Sequence, residues 1–149
     1  MSNLLDTPKL GFGCMRFPLT AEGKIDEPRA AAMLDTAYKA GVTYYDTAYF
    51  YHQHTGEAFL GRAMKRYPRD TFYLATKMPM SIVESLDHAK EIFEGQLAAL
   101  QTDYVDFYLL HAVNGERWKQ AQEMGIVDFL LEMQKAGRIR HFGFSFHRS

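Results

Sequence analysis

The sequence predicts an α/β fold built on a parallel sheet, and three observations carry that prediction. Five short β-rich runs alternate with four helical patterns along the 149 residues. The connections between them are brief. Two of the runs, 71–77 and 104–111, are apolar almost throughout, as parallel strands covered by helices on both faces are. Strand–helix–strand units with right-handed crossovers follow. They leave two architectures, an open doubly wound sheet or part of a (β/α)8 barrel.

The first strand is predicted over Lys9-Leu10-Gly11-Phe12-Gly13-Cys14-Met15, where the glycines admit another backbone or a ligand. An open sheet that binds a dinucleotide usually shows G-x-G-x-x-G after its first strand. Gly11-Phe12-Gly13 lacks the third glycine, which weakens that architecture. Asp26 is placed to cap a helix with Pro28 in its first turn, and 30–39 is strong helix-forming sequence that stops before Gly41. Ala31, Leu34, Ala37 and Tyr38 form its apolar face. The second strand, 42–46, runs into a polar loop that reaches His54. Thr55-Gly56-Glu57 opens the second helix, whose buried stripe is Phe59, Leu60, Ala63 and Met64. The third strand, 71–77, follows Pro68 and Asp70. Leu86, Ala89, Phe93, Leu97 and Leu100 recur at three- and four-residue intervals and define the third helix. After the fourth strand, 104–111, a polar segment with Trp118 leads to a fourth helix over 126–135, capped by Gly137. A fifth strand spans 140–146.

Composition excludes several classes. A length of 149 residues suits one well-cored domain, 1–149. With a formal net charge of -1, nothing draws the chain to nucleic acid or an anionic membrane. Cys14 is the only cysteine, so no internal disulfide forms and no Cys-ligated metal or cluster can be built within these residues. There is no signal-peptide pattern and no apolar run of membrane-spanning length. The expectation is a soluble cytoplasmic domain without a metal.

In a parallel α/β protein, chemistry collects beyond the C-terminal ends of the strands. Asp46, Lys77 and His111 each end a strand, and Tyr51 follows Asp46 in its loop. Taken singly, each has an ordinary structural reading. Asp46 would be a turn or cap residue, Tyr51 one of nine tyrosines, and His111 a core histidine. Lys77 is harder to dismiss, because a lysine is seldom buried without a partner. Together they suit protonation of a carbonyl oxygen. An ammonium beside a phenol stabilises the phenolate, and a carboxylate behind the ammonium holds its charge and orientation.

The same residues resemble the aldo-keto reductases. Leu10-Gly11-Phe12-Gly13-Cys14-Met15 is similar to that family's first barrel strand. Asp46-Thr47-Ala48 with Tyr51 resembles its signature loop, and Gly56-Glu57 through Leu60-Gly61-Arg62-Ala63 the helix after it. Ala75-Thr76-Lys77, Asp106-Phe107-Tyr108-Leu109-Leu110-His111 and Arg140-His141-Phe142-Gly143-Phe144-Ser145 match its next strands in order. The resemblance implies the N-terminal portion of a (β/α)8 TIM barrel and an NADPH-dependent reduction of aldehydes or ketones. Tyr51 would be the general acid, Lys77 its partner, Asp46 the carboxylate of Lys77, and His111 the group that orients the carbonyl. It further implies that Gly13, Cys14, Met15, Asp46 and Ser145 bind the nicotinamide and its ribose. Phe146 stands where many members carry an Asn after that Ser.

The resemblance is nearest to a bacterial and archaeal subgroup whose full-length members carry a C-terminal ferredoxin-like segment. Any 4Fe-4S cluster is therefore expected only in a longer parent chain. A barrel of this kind takes about 250 residues, so the chain is expected to be a truncated barrel domain, inactive alone and prone to self-association through its open edges. The alternative function is a non-catalytic barrel fragment or a redox-sensing nicotinamide-binding module.

Overall fold

In the computed structural model, which describes residues 10–111 and 113–145, five parallel strands hydrogen-bond in chain order into one sheet. They are β1 (Gly11–Gly13), β2 (Tyr44–Asp46), β3 (Tyr73–Met78), β4 (Val105–Leu110) and β5 (Ile139–Phe144). The order β1-β2-β3-β4-β5 never reverses. A doubly wound sheet would change direction at a switch point, whereas a barrel wall is wound one way. Of the two architectures open from the residues alone, the barrel type is the one adopted.

Helices α1 (Glu27–Lys39), α2 (Gly56–Met64), α3 (Leu86–Leu100), α4 (Gly115–Glu123) and α5 (Ile126–Lys135) connect the strands. Asp26 caps α1 by accepting the Arg29 N–H, and Ser85 caps α3 by accepting the His88 N–H. Thr55 opens α2 without a side-chain cap; its hydroxyl donates instead to the His52 carbonyl at 2.6 Å. The number of helices differs from expectation: the polar segment with Trp118 is not a connection but α4. Asn114 caps it by accepting the Arg117 N–H at 2.8 Å, and among its residues only Ala121 is buried. Without an apolar stripe, its periodicity was invisible. Gly125, at φ 79°, then turns the chain into α5.

Two apolar layers flank the sheet. Tyr45, Leu74, Met78, Tyr108 and Leu110 join the residues of α1, α2, α3 and α5 in the main core. Alternate residues, Tyr44, Tyr73, Ala75 and Phe107, form a smaller cluster on the other face, the side a closed barrel would enclose. There Phe107 stacks on His141 with centroids 5.0 Å apart.

At the N-terminal end of the sheet, Asp106 is 1% exposed and binds several elements at once. Its Oδ2 accepts from the Leu74 N–H at 2.8 Å and from Arg69 at 2.9 Å, while Arg140 lies 3.6 Å from Oδ1. Arg69 also donates to the carbonyls of Phe72 and Tyr104 and to the Thr102 hydroxyl. The carboxylate therefore ties the starts of β3, β4 and β5 together. Farther out, α2 crosses α3 at Gly61, where a Cβ would fall 2.3 Å from the Ala99 carbonyl oxygen. Only hydrogen fits against that backbone.

Two stability outcomes follow from these contacts. Gly61→Ala must push α2 off α3 and is expected to cost about 1–3 kcal/mol, read from the urea midpoint. Asp106→Ala leaves Arg69 and the Leu74 N–H without their acceptor, and a loss of about 3 kcal/mol or more is expected by the same measurement. A wild-type midpoint in either variant would contradict the assigned contact.

Candidate active site

Strand register brings the predicted residues together. Gly13 pairs with Asp46, and Asp46 with Ala75. Lys77 lies two residues beyond Ala75, so its side chain leaves β3 on the same face as Asp46 and diagonally next to it. Lys77 in turn pairs with Leu109, and His111 lies two residues beyond that. Each step along the sheet moves the site up by one pleat, the stagger that tilted barrel strands produce. A slip of one residue would send Lys77 into the helix layer.

The Lys77 ammonium is the centre of the group. Nζ donates to Asp46 Oδ1 at 2.6 Å, to the Thr47 carbonyl at 2.8 Å and to the Tyr51 hydroxyl oxygen at 3.4 Å. An ammonium has three protons and no lone pair, so all three are engaged. The Tyr51 oxygen accepts from Lys77, because an ammonium can only donate. Lys77 is 6% exposed and Asp46 34%, so the ion pair is sealed on the lysine side and open on the carboxylate side. The Tyr51 and His111 rings meet edge to face with centroids 6.3 Å apart. The main chain of His111 is held by donation of its N–H to the Met78 carbonyl at 2.9 Å. Asp46, Tyr51, Lys77 and His111 thus share one spot at the strand ends.

The residues predicted to hold a cofactor lie along the same rim. At Gly13 nothing occupies the 4 Å around the position of a Cβ, so the end of β1 beside Asp46 is open. Met15 is 48% exposed. Cys14 differs, because its thiol is in the core and burial pushes its pKa up, with the Asp46 charge adding to the effect. It is an unreactive thiol. Its N–H donates to the Asp46 carbonyl at 2.8 Å. Ser145 follows β5, and its N–H donates to the Leu110 carbonyl at 2.8 Å, next to His111. Phe146 lies outside the described residues.

Two features of the site were not read from the sequence. His52, directly after Tyr51, places Nε2 3.1 Å from both the Cys14 carbonyl oxygen and the Phe17 N–H, and its ring stacks on Phe17. Burial lowers its pKa. It anchors the loop through a left-handed run at His52, Gln53 and His54, with φ of 53°, 54° and 71°. Behind β3 lies a buried polar cluster. Glu57 Oε2 accepts from the Thr76 hydroxyl at 2.5 Å and from the Gln96 amide at 3.0 Å. That amide also donates to the Lys77 carbonyl at 2.8 Å, while Gln96 Oε1 accepts from the Tyr108 hydroxyl at 2.5 Å. Burial raises the Glu57 pKa from 4.5 to about 7, against the lowering effects of Thr76, Gln96 and the Lys77 charge. The available signal was the placement of Thr76 beside Lys77: successive strand residues face opposite ways, so Thr76 had to point into the helices.

The profile of the aldo/keto reductase family matches residues 9–149. A probable aldo-keto reductase of Glycine max is 27% identical over an alignment 148 positions long, which covers 94% of this chain and 42% of that protein. The holo form of an aldo-keto reductase from Bacillus halodurans superposes with a TM-score of 0.75 at 34% identity, over 94% of this chain and 46% of that one. An aldo-keto reductase from Klebsiella pneumoniae, solved in complex with NADPH, gives a TM-score of 0.77 at 28% identity, over 96% and 47%. The chain therefore spans under half the length of these relatives. Among the described residues, no helix is long and apolar enough to cross a membrane.

Glu57 supplies a pH signature. Its folded pKa of about 7 lies above the ordinary 4.5, so its contribution to stability is fully present below pH 4.5 and is lost as pH rises through 7. The loss is on the order of 3 kcal/mol. Glu57→Gln is expected to remove that slope, so the variant gains on wild type between pH 4.5 and 7 in urea titrations. Parallel stability curves would show that Glu57 titrates normally.

Proposed function

Because the chain belongs to the aldo/keto reductase family, we propose that the Asp46–Tyr51–Lys77–His111 group reduces the carbonyl of an aldehyde or ketone in the full-length protein. The carrying observation is the triple engagement of Lys77 Nζ by Asp46, the Thr47 carbonyl and Tyr51. With its oxygen already accepting from Lys77, Tyr51 directs its O–H at whatever occupies the strand-end rim. It gives that proton to the carbonyl oxygen of the substrate. The negative charge left on the phenol oxygen falls beside an ammonium, and Asp46 keeps that ammonium in place. His111, edge-on to Tyr51, orients the carbonyl oxygen from the other side.

A nicotinamide cofactor, NADPH by the example of the Klebsiella pneumoniae relative, supplies the hydride when bound. Gly13, Met15 and Ser145, with the main chain of Cys14 and the carboxylate of Asp46, would hold its nicotinamide end. The open space at Gly13 and the exposed Met15 leave room for such a group at the end of β1. The substrate is a small molecule whose carbonyl reaches Tyr51 and His111.

The test is NADPH consumption by the full-length protein with a panel of aldehydes and ketones. Tyr51→Phe is expected to lower kcat by about a hundredfold or more with nucleotide affinity unchanged. Lys77→Met is expected to do the same. Wild-type turnover in Tyr51→Phe would remove that residue from the reaction.

A further inference from the structure

Glu57, Thr76, Gln96 and Tyr108 are each 5% exposed or less. Four polar side chains buried between a strand pair and two helices are costly to desolvate, and an apolar set would fill the same space more cheaply. The cluster is also placed in a particular way. Thr76 and Lys77 are consecutive residues of β3, so the hydroxyl bound by Glu57 and the ammonium of the site leave the same strand on opposite faces. Gln96 reaches further and takes the Lys77 carbonyl itself. The last turn of pleat before the site is thus fastened from behind by α2 through Glu57 and by α3 through Gln96.

We propose that Glu57 is a positioning residue for Lys77, acting from the helix side of the sheet through Thr76 and Gln96. The assignment rests on reading Lys77 as part of a carbonyl-reducing site, and it adds a second carboxyl group to that site, behind the strand rather than in front of it. Asp46 meets the ammonium directly, while Glu57 sets where the backbone of Lys77 stands and places its charge within electrostatic reach of Nζ. A cleft of 410 Å³ lined by Tyr49, His54, Glu57, His88, Glu91 and Gln96 gives Glu57 access to protons from solvent. The groups around it are Thr76 from β3, Gln96, His88 and Glu91 from α3, Tyr108 from β4, and Tyr49 and His54 from the loop before α2, with the Lys77 charge acting on it from the opposite face of β3. Lys77 is the cation among them whose attraction favours the charged carboxylate.

The experiment compares wild type and Glu57→Gln in the full-length protein by two readouts. The first is acylation of Lys77 by acetic anhydride, followed by peptide mass spectrometry across pH 6–9. Loss of the carboxylate removes the charged acceptor that Thr76 and Gln96 share behind the strand, so Lys77 is held less firmly and its amine is more open to the reagent. The Lys77 rate is expected to rise about fivefold or more relative to the exposed Lys119, with the largest difference above pH 7. The second is the pH profile of kcat, where the variant is expected to fall about tenfold above pH 7 and less below it, at unchanged KM for NADPH. A Lys77 acylation rate equal to wild type at every pH overturns the proposal, whatever the turnover. A uniform fall in kcat at all pH values, with wild-type acylation, would identify Glu57 as structural only. Tyr51→Phe and Lys77→Met run alongside: if they keep wild-type turnover, the reading of the site fails, while acylation still decides the role of Glu57.

Discussion

The structure depends on a buried ammonium at the end of β3. Placing Lys77 at 6% exposure removes its hydration, a penalty of several kcal/mol unless the charge is paired and every proton is accepted. Asp46, the Thr47 carbonyl and the Tyr51 oxygen meet that demand together. All three lie on β2 or in the loop after it. The pairing of β2 with β3 is therefore tied to the charge, because any other register would leave an uncompensated cation inside the sheet. The loop must fold back far enough to present Tyr51, which accounts for its left-handed residues and for its anchor at His52. One electrostatic requirement sets the register, the loop and the acceptor role of the Tyr51 oxygen.

The two ends of the sheet divide the work. At the N-terminal end, Asp106 gathers Arg69, Arg140 and a backbone N–H into a closed ionic network that holds three strand starts. At the C-terminal end, the ion pair of Lys77 with Asp46 is open on one side. The first arrangement is closed around its charges, and the second leaves a carboxylate open at the strand-end rim. Between them, the two faces of β3 carry different polar loads. The inner face carries Lys77 itself, while the helix face carries Thr76 and the cluster around Glu57. Glu57 is 5% exposed there, and burial raises its pKa despite the hydrogen bonds from Thr76 and Gln96 and the Lys77 charge.

The one cysteine illustrates how proximity differs from participation. Cys14 stands one residue past Gly13 at the rim, yet its thiol points into the core and burial keeps it protonated. What it offers the site is main chain, bonded to Asp46 and approached by His52.

Local pattern alone determined the strand–helix alternation, the apolar face of α3 and the presence of four ionisable residues at or just past strand ends. Each of these is written in nearest-neighbour chemistry: a period of two or of three to four, a cap, a charged residue ending an apolar run. Only the tertiary structure decided the rest. The polar helix α4 shows no stripe because it buries almost nothing, and Gly61 is required by the Ala99 carbonyl of another helix. Glu57, Thr76 and Gln96 are far apart in the chain and look like ordinary polar residues until the sheet and two helices close over them. The ion pair of Lys77 with Asp46 is the clearest case. Both residues were visible as candidates, but their 2.6 Å contact exists only because parallel strands pair in one register. That register is the one that both pairs the buried Lys77 charge and keeps the apolar face inside, a requirement spread over two strands that no single strand contains.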